Sequence, residues 1–310
     1  MFFTLKKCWK KMLSRDLIKL TLRETLRGTK NCLSEKSSTS RDFLTEKLTH
    51  DNLESLIVKE SIDAIVIPKY CSPSLCKVLS SYMLNSKIER YDHEIYNTDT
   101  RKIETVYAGV DRVGLPFNKV FSETDNLKKI RIRDDYYKLA KKLMKNFREV
   151  CGDFISPIDR LRLELEDAFS EGARVGRFEG RQMLCGIGRV SDPALSLGGE
   201  QPHFDMLPEY IYPLEKQFAA NIYLKVPKQG GMLKIWGRKT YSREKIMELS
   251  LDKNIVKDEE EPVEISPQEG DLIIFNTRRP HAVTRFDNDF RISLQTFIGY
   301  KTGEPLFLWN

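Results

Sequence analysis

Gly270-Asp271-Leu272-Ile273-Ile274-Phe275, with Pro280-His281 just beyond it, is the stretch on which the fold turns. A short apolar run opened by a Gly-Asp turn reads as a buried strand, and its end delivers His281 to a strand mouth. Four similar runs surround it: Met183–Val190, Phe218–Leu224, Met232–Trp236 and Ile292–Ile298, separated by Gly, Pro and Asn/Asp turns. Short strands punctuated in this way predict an antiparallel sandwich or barrel rather than a parallel sheet. With ligand-bearing residues in its interior, a double-stranded β-helix of the jelly-roll, cupin-like kind is the expected core, at about residues 180–300.

Upstream the periodicity changes. Ala64-Ile65-Val66-Ile67-Pro68 predicts a short buried strand, and Ser72-Pro73 and Ser156-Pro157 each place a capping serine before a first-turn proline. Helices are expected from residue 72 to about 85, over 134–150 and over 157–170, with a turn at Asp111–Pro116. The fold class is therefore α+β, mainly β, with N-terminal helices behind the β core. Residues 237–266, which include Asp258-Glu259-Glu260-Glu261, form a long polar insertion of the kind that serves as a lid or binding loop.

The 310-residue chain is 40% hydrophobic and 31% charged, which suits a globular protein. No run reaches the roughly 18 apolar residues of a membrane span, and the N-terminus lacks a secretory core, so a cytoplasmic location is expected. Six scattered cysteines fit free thiols in a reducing compartment. The net charge of +6 is local: residues 1–36 hold ten Lys/Arg against three Asp/Glu, and the other 274 residues are close to neutral. A nucleic-acid groove on the main body is not expected from this balance. Residues 1–50 form a basic extension in which Leu5, Trp9, Leu13 and Leu17 recur at helical spacing. Such a helix packs on the body, pairs two subunits into a homodimer, or lies on an anionic membrane; Asp16 and Glu24 argue against an organelle-targeting role. Residues 51–310 are expected to form the main domain.

His203-Phe204-Asp205 carries the chemistry. On an extended segment the two-residue period points His203 and Asp205 to one face, where a distant histidine can complete a site. An isolated His-x-Asp is more often a structural hydrogen-bonded pair. Here the chain has only four histidines, and His281 sits at the mouth of a predicted strand. Two imidazoles and one carboxylate on one face of an octahedron, with open positions opposite, suit non-heme Fe(II). Arg291 lies ten residues after His281, and Ser293 shares its face. A planar guanidinium there answers the distal carboxylate of a dicarboxylate with two charge-assisted bonds, with Ser293 and the Tyr223 hydroxyl as further donors.

These residues, together with Ala220–Leu224, Gly230–Trp236, Gly270–Asn276 and Phe297-Ile298-Gly299, resemble the Fe(II)/2-oxoglutarate-dependent dioxygenase superfamily. The resemblance covers about residues 180–300, with a weaker match from about residue 60. It is most similar to freestanding small-molecule oxygenases of the amino-acid hydroxylase and halogenase group. It implies Fe(II) held by His203, Asp205 and His281, and 2-oxoglutarate bound by Arg291, Ser293 and Tyr223 with Leu233 packed alongside. O2 is then the second co-substrate, and succinate is formed as a C–H bond is hydroxylated. Halogenating members replace the carboxylate ligand with a small residue, so the Asp205 present here points to hydroxylation or a related oxidation. A free amino acid or similar small substrate calls for a cation, a carboxylate and an apolar wall near the iron: Arg112 and Arg189, Glu200 (or Asp192), and Trp236. The other readings are a hydroxylase of a protein or peptide side chain, with the insertion as docking surface, and a non-catalytic metal-binding barrel.

Overall fold

A computed structural model describes residues 42–97, 102–123, 125–193, 201–249, 255–256 and 261–310. The amphipathic pattern of residues 1–36, Cys8, Cys32, the 258–260 acidic run and Glu200 lie outside the described residues. Those described fall within one compact unit, Ser40–Asn310.

The chain begins with β1 (Asp42–Leu44) and α1 (His50–Leu53), which runs on as a wider turn through Val58, and then enters β2 (Ala64–Ile67). Ser72 caps α2 (Pro73–Leu84) by accepting from the Leu75 amide, as its Ser-Pro signal requires. A hairpin of β3 (Glu89–Asn97) and β4 (Lys102–Val113) follows, so Asp111-Arg112-Val113, expected in a turn, continues a strand that bends only at Gly114. After α3 (Asn118–Ser122) comes α4 (Asn126–Cys151), which starts eight residues before the apolar periodicity because Asp125 caps it through the Lys128 amide. Then α5 (Pro157–Ala168) begins at the second Ser-Pro.

The second half is built of strands: β5 (Ala173–Val175), β6 (Arg177–Phe178), β7 (Arg181–Gln182), β8 (Ile187–Ser191), β9 (Lys216–Lys225), β10 (Gln229–Gly230) and β11 (Leu233–Ile235). Helix α6 (Arg243–Leu249) precedes β12 (Val263–Ile265), β13 (Leu272–Asn276), β14 (His281–Val283), β15 (Phe286–Asp287), β16 (Arg291–Tyr300) and β17 (Leu306–Trp309). The 237–266 stretch thus contains a helix and ends in a paired strand, Leu233 lying opposite Ile265.

The large sheet runs β1-β2-β13-β9-β16-β8-β4-β3, with β17 and β5 joined through β16, and it is antiparallel except for β1–β2 and β5–β17. A small sheet, β12-β11-β14, faces it. Alternation along the strands separates two cores. Ile222, Leu272, Ile274, Ile292 and Leu294 pack with Leu79, Met83 and Leu161 of the helices. Ala219, Tyr223, Ile273 and Phe275 turn the other way, toward Leu233, Ile235 and Ile265 of the small sheet. At roughly 1.5–3 kcal/mol for each large aliphatic side chain withdrawn from water, both layers resist separation. Gly270 opens β13 at φ +90°, where a Cβ would stand 2.5 Å from the Cys71 carbonyl oxygen. The close approach lets Cys71 N–H bond to Gly270 O at 2.9 Å while Gly270 N–H bonds to Tyr223 O at 2.7 Å. Cys71, Cys76, Cys151 and Cys185 are buried free thiols, as expected.

Candidate active site

The three predicted ligands meet in space. His203 and His281 form an antiparallel bridge with reciprocal backbone bonds of 3.0 Å, and Asp205 N–H donates to Thr277 O at 2.9 Å. The 203–205 segment is therefore laced onto the β13–β14 turn, and alternation presents His203 and Asp205 on one side. One donor atom from each of His203, Asp205 and His281 lies within 4.8 Å of the others. His281 Nε2 stands 3.5 Å from an Asp205 carboxylate oxygen, and the two imidazole centroids are 4.3 Å apart.

Both histidines are held by the same device. His203 Nδ1 is 2.9 Å from Gln201 O, and His281 Nδ1 is 3.0 Å from Arg279 O, each the carbonyl two residues earlier. A carbonyl only accepts, so each Nδ1 carries the proton and each Nε2 keeps a lone pair for a metal. Burial alone raises the Asp205 carboxyl, but with the imidazoles protonated the His281 hydrogen bond and the charges of His203, His281 and Arg189 outweigh it. The carboxyl is held well below the usual carboxylate range and stays an anionic ligand. In their neutral form the two imidazoles, with the Asp205 carboxylate, fit a divalent Fe(II) ion.

The predicted co-substrate residues lie along one row of the large sheet. Arg112 on β4 pairs with Arg189 on β8, Arg189 with Ser293 on β16, and Ser293 with Tyr223 on β9. Cross-strand partners project from one face, and Arg291 joins them two residues before Ser293. Arg291 is 7% exposed; its Nη2 donates to the Tyr223 hydroxyl at 3.3 Å, and its guanidinium sits 5.0 Å from that ring's centroid. Its Nε has no hydrogen-bond partner, and among the described residues no carboxylate lies within ion-pair distance of it. A buried guanidinium facing no acid is unfavourable unless an anion completes it, and a dicarboxylate fits that need. Leu233 is buried on the facing sheet, in the same apolar cluster as Tyr223, and its neighbour Ile235 pairs with His281.

Arg112 and Arg189 line a recess with Val110, Pro116 and Ile187, and the charge of Arg189 reaches Asp205. Arg112 also reaches Glu89 across 3.6 Å. Asp192 follows β8 and is half-buried. Trp236 is buried one residue beyond β11, and its amide donates to the Pro280 carbonyl at 2.9 Å, next to His281 in the chain.

Two supports escaped the sequence reading. Arg279 and Asp63 form a buried ion pair of 2.8 Å, and Arg279 further binds the carbonyls of Trp236 and Gly237 while its own carbonyl holds His281. Arg278 donates to the carbonyls of Leu214 and Glu215 at 2.7 and 2.6 Å, and burial, reinforced by nearby Arg243, pushes its guanidinium down to about 10. The signal was present as Arg278-Arg279-Pro280 immediately before a ligand histidine, since arginines in an apolar setting need buried partners.

Residues 195–299 match the family model described as the 2OG-Fe(II) oxygenase superfamily. No curated protein matches the chain. Among solved structures, an N-substituted L-amino acid dioxygenase from Burkholderia ambifaria AMMD is similar at 14% identity, covering 72% of this chain and 99% of its own, with a TM-score of 0.48. A Pseudomonas putida prolyl-4-hydroxylase is similar at 14% identity, covering 82% and 98%, with a TM-score of 0.39. The matched segment, about a third of the chain, holds His203, Asp205, His281, Tyr223, Arg291 and Ser293, and over it the chain is similar to the 2OG-Fe(II) oxygenase superfamily, as an oxygenase that uses Fe(II), 2-oxoglutarate and O2.

Proposed function

We propose that the protein hydroxylates an unactivated C–H bond of a small metabolite, a free amino acid or a compound derived from one, in a domain spanning residues 51–310 with a jelly-roll core. The observation that carries the co-substrate half of this reading is Arg291, a buried guanidinium without a carboxylate partner among the described residues, on the face that also bears Ser293 and Tyr223. His203, Asp205 and His281 hold the metal. Arg291 clamps the distal carboxylate of 2-oxoglutarate, Tyr223 and Ser293 add donors, and Leu233 keeps water from its chain. Bound Fe(II) with 2-oxoglutarate and O2 supplies the oxidant, 2-oxoglutarate leaving as succinate and CO2 while one oxygen atom enters the substrate.

The residues of the chain do the positioning. Arg189 and Arg112 offer cations to a substrate carboxylate beside the triad, which fixes which C–H faces the metal. Gln201 O and Arg279 O keep both imidazoles in the ligating tautomer, and the Asp63–Arg279 pair holds the turn that carries His281. No side chain acts as a general base. The retention of Asp205 favours oxygen transfer over halogen transfer. Aerobic incubation with Fe(II), 2-oxoglutarate and a panel of free and N-substituted amino acids should give succinate and a product heavier by one oxygen atom. Turnover with peptides alone would refute the small-metabolite reading, and succinate no higher than with the His203→Ala variant in every condition would refute the activity.

A further inference from the structure

The charge of the body is concentrated on one helix. Residues 126–151, helix α4, hold nine Lys/Arg against three Asp/Glu, whereas the rest of residues 37–310 holds 32 Lys/Arg against 39 Asp/Glu. The near-neutral total therefore conceals a basic ridge on an acidic body. Tyr136, Ala140, Phe147 and Cys151 face inward at helical spacing, and Arg131, Lys138, Lys141, Lys142 and Lys145 follow the opposite, exposed line. Among the described residues, only Lys138 and Lys145 on that line have carboxylate neighbours, Asp135 at 3.9 Å and Glu149 at 3.4 Å, both on the same helix and exposed. Such exposed pairs neutralise little.

The helix is also apolar at its two outer ends. Leu127 is 69% exposed and Ile130 44% at the start, and Phe154 and Ile155, just after the helix, are 62% and 52% exposed. At a rise of about 1.5 Å per residue, the 26-residue helix is about 39 Å long; apart from Lys128 and Lys129 near its start and Leu139, 46% exposed, near its middle, the exposed cations fall in its middle and the large exposed apolar side chains at its ends. A nucleic-acid phosphate backbone would use the cations and leave the aliphatic and aromatic ends unexplained. A flat anionic bilayer uses both, with lysines at the headgroups and the apolar ends sunk to the acyl boundary. The geometry points to helix α4 and the Phe154-Ile155 loop as a peripheral docking surface for an anionic lipid membrane. The basic pattern of residues 1–36 is of the same chemical kind, and a second basic element on one chain raises avidity without any new contact.

The test uses the full chain sedimented with phosphatidylcholine vesicles, with and without phosphatidylserine, at about 0.15 M salt. Each basic residue at an anionic surface contributes about fivefold to partitioning, so Lys138→Gln/Lys141→Gln/Lys142→Gln should lower binding to phosphatidylserine vesicles roughly 100-fold. Leu127→Ser/Phe154→Ser should reduce the part of the binding that survives raised salt. All five positions are exposed, and unchanged thermal unfolding of both variants would confirm an intact fold. The proposal is overturned by equal binding to neutral vesicles, by a triple variant that binds as the parent does, or by salt-sensitive binding to a single-stranded RNA oligonucleotide with none to vesicles.

Discussion

Replacing Arg291 with leucine separates a co-substrate clamp from an ordinary core cation. The guanidinium is buried at 7% exposure, with one hydroxyl acceptor, an unpartnered Nε and no described carboxylate within ion-pair distance. If 2-oxoglutarate completes it, removing the cation leaves a buried carboxylate unpaired. That loss is roughly 2–5 kcal/mol, or about 30-fold to several thousand-fold in apparent affinity. The ligand-free protein should respond in the opposite sense, because a hydrophobic side chain of similar reach removes an uncompensated charge. Stability without ligand should therefore be unchanged or higher. Thermal unfolding in anaerobic Mn(II), with and without 2-oxoglutarate, reads both effects at once. Ligand at about 100 times its dissociation constant should stabilise the parent by about 2.7 kcal/mol, and that stabilisation should vanish in Arg291→Leu. Arg291→Lys should fall between them, since it keeps the charge and loses the planar fork. An Arg291→Leu protein that binds 2-oxoglutarate as tightly as the parent would refute the assignment, and one destabilised by several kcal/mol without ligand would mean the guanidinium already has its partner inside the protein.

Three further outcomes follow from the same geometry. Asp63→Asn should destabilise the fold by about 3–5 kcal/mol in denaturant titration by removing the carboxylate that pairs with the buried Arg279 guanidinium, and should weaken divalent metal binding roughly 10- to 100-fold through the His281 turn. Asp205→Gly should abolish hydroxylation, read as product mass, while the circular dichroism spectrum stays native. Burial raises the Asp159 carboxyl, but the bonds and charges of Arg148 and Arg162 outweigh that and hold it below its ordinary value. Its stabilisation is therefore present above about pH 4 and lost as pH falls through the depressed folded value, and Asp159→Asn should flatten the acid limb of the unfolding-midpoint profile.

The β core was legible because its strands are short, apolar and bounded by Gly, Pro and Asn/Asp; β9, β11, β13 and β16 fall within about two residues of the expected runs. The triad was legible because two-residue alternation makes His203 and Asp205 neighbours whatever the tertiary fold. The β3–β4 hairpin was not: Glu89-Arg90-Tyr91-Asp92-His93-Glu94 offers no apolar alternation. The start of α4 was missed because the apolar stripe begins later than its Asp125 cap, and a cap is a single polar residue among many. The Arg112–Arg189–Ser293–Tyr223 row depends on strand order, which joins residues 112 and 293 through β8, and no local pattern encodes that.

The ion and the dicarboxylate must share one site for the proposed chemistry. Calorimetric titration of 2-oxoglutarate into the protein, anaerobically, with and without Mn(II), tests this directly, because coupling between two ligands is reciprocal. Tight binding is expected only with metal, with a matching rise in Mn(II) affinity when 2-oxoglutarate is present and loss of both in His281→Ala. Binding of 2-oxoglutarate with the same affinity in the absence of metal, or in the His281→Ala protein with metal present, would contradict it.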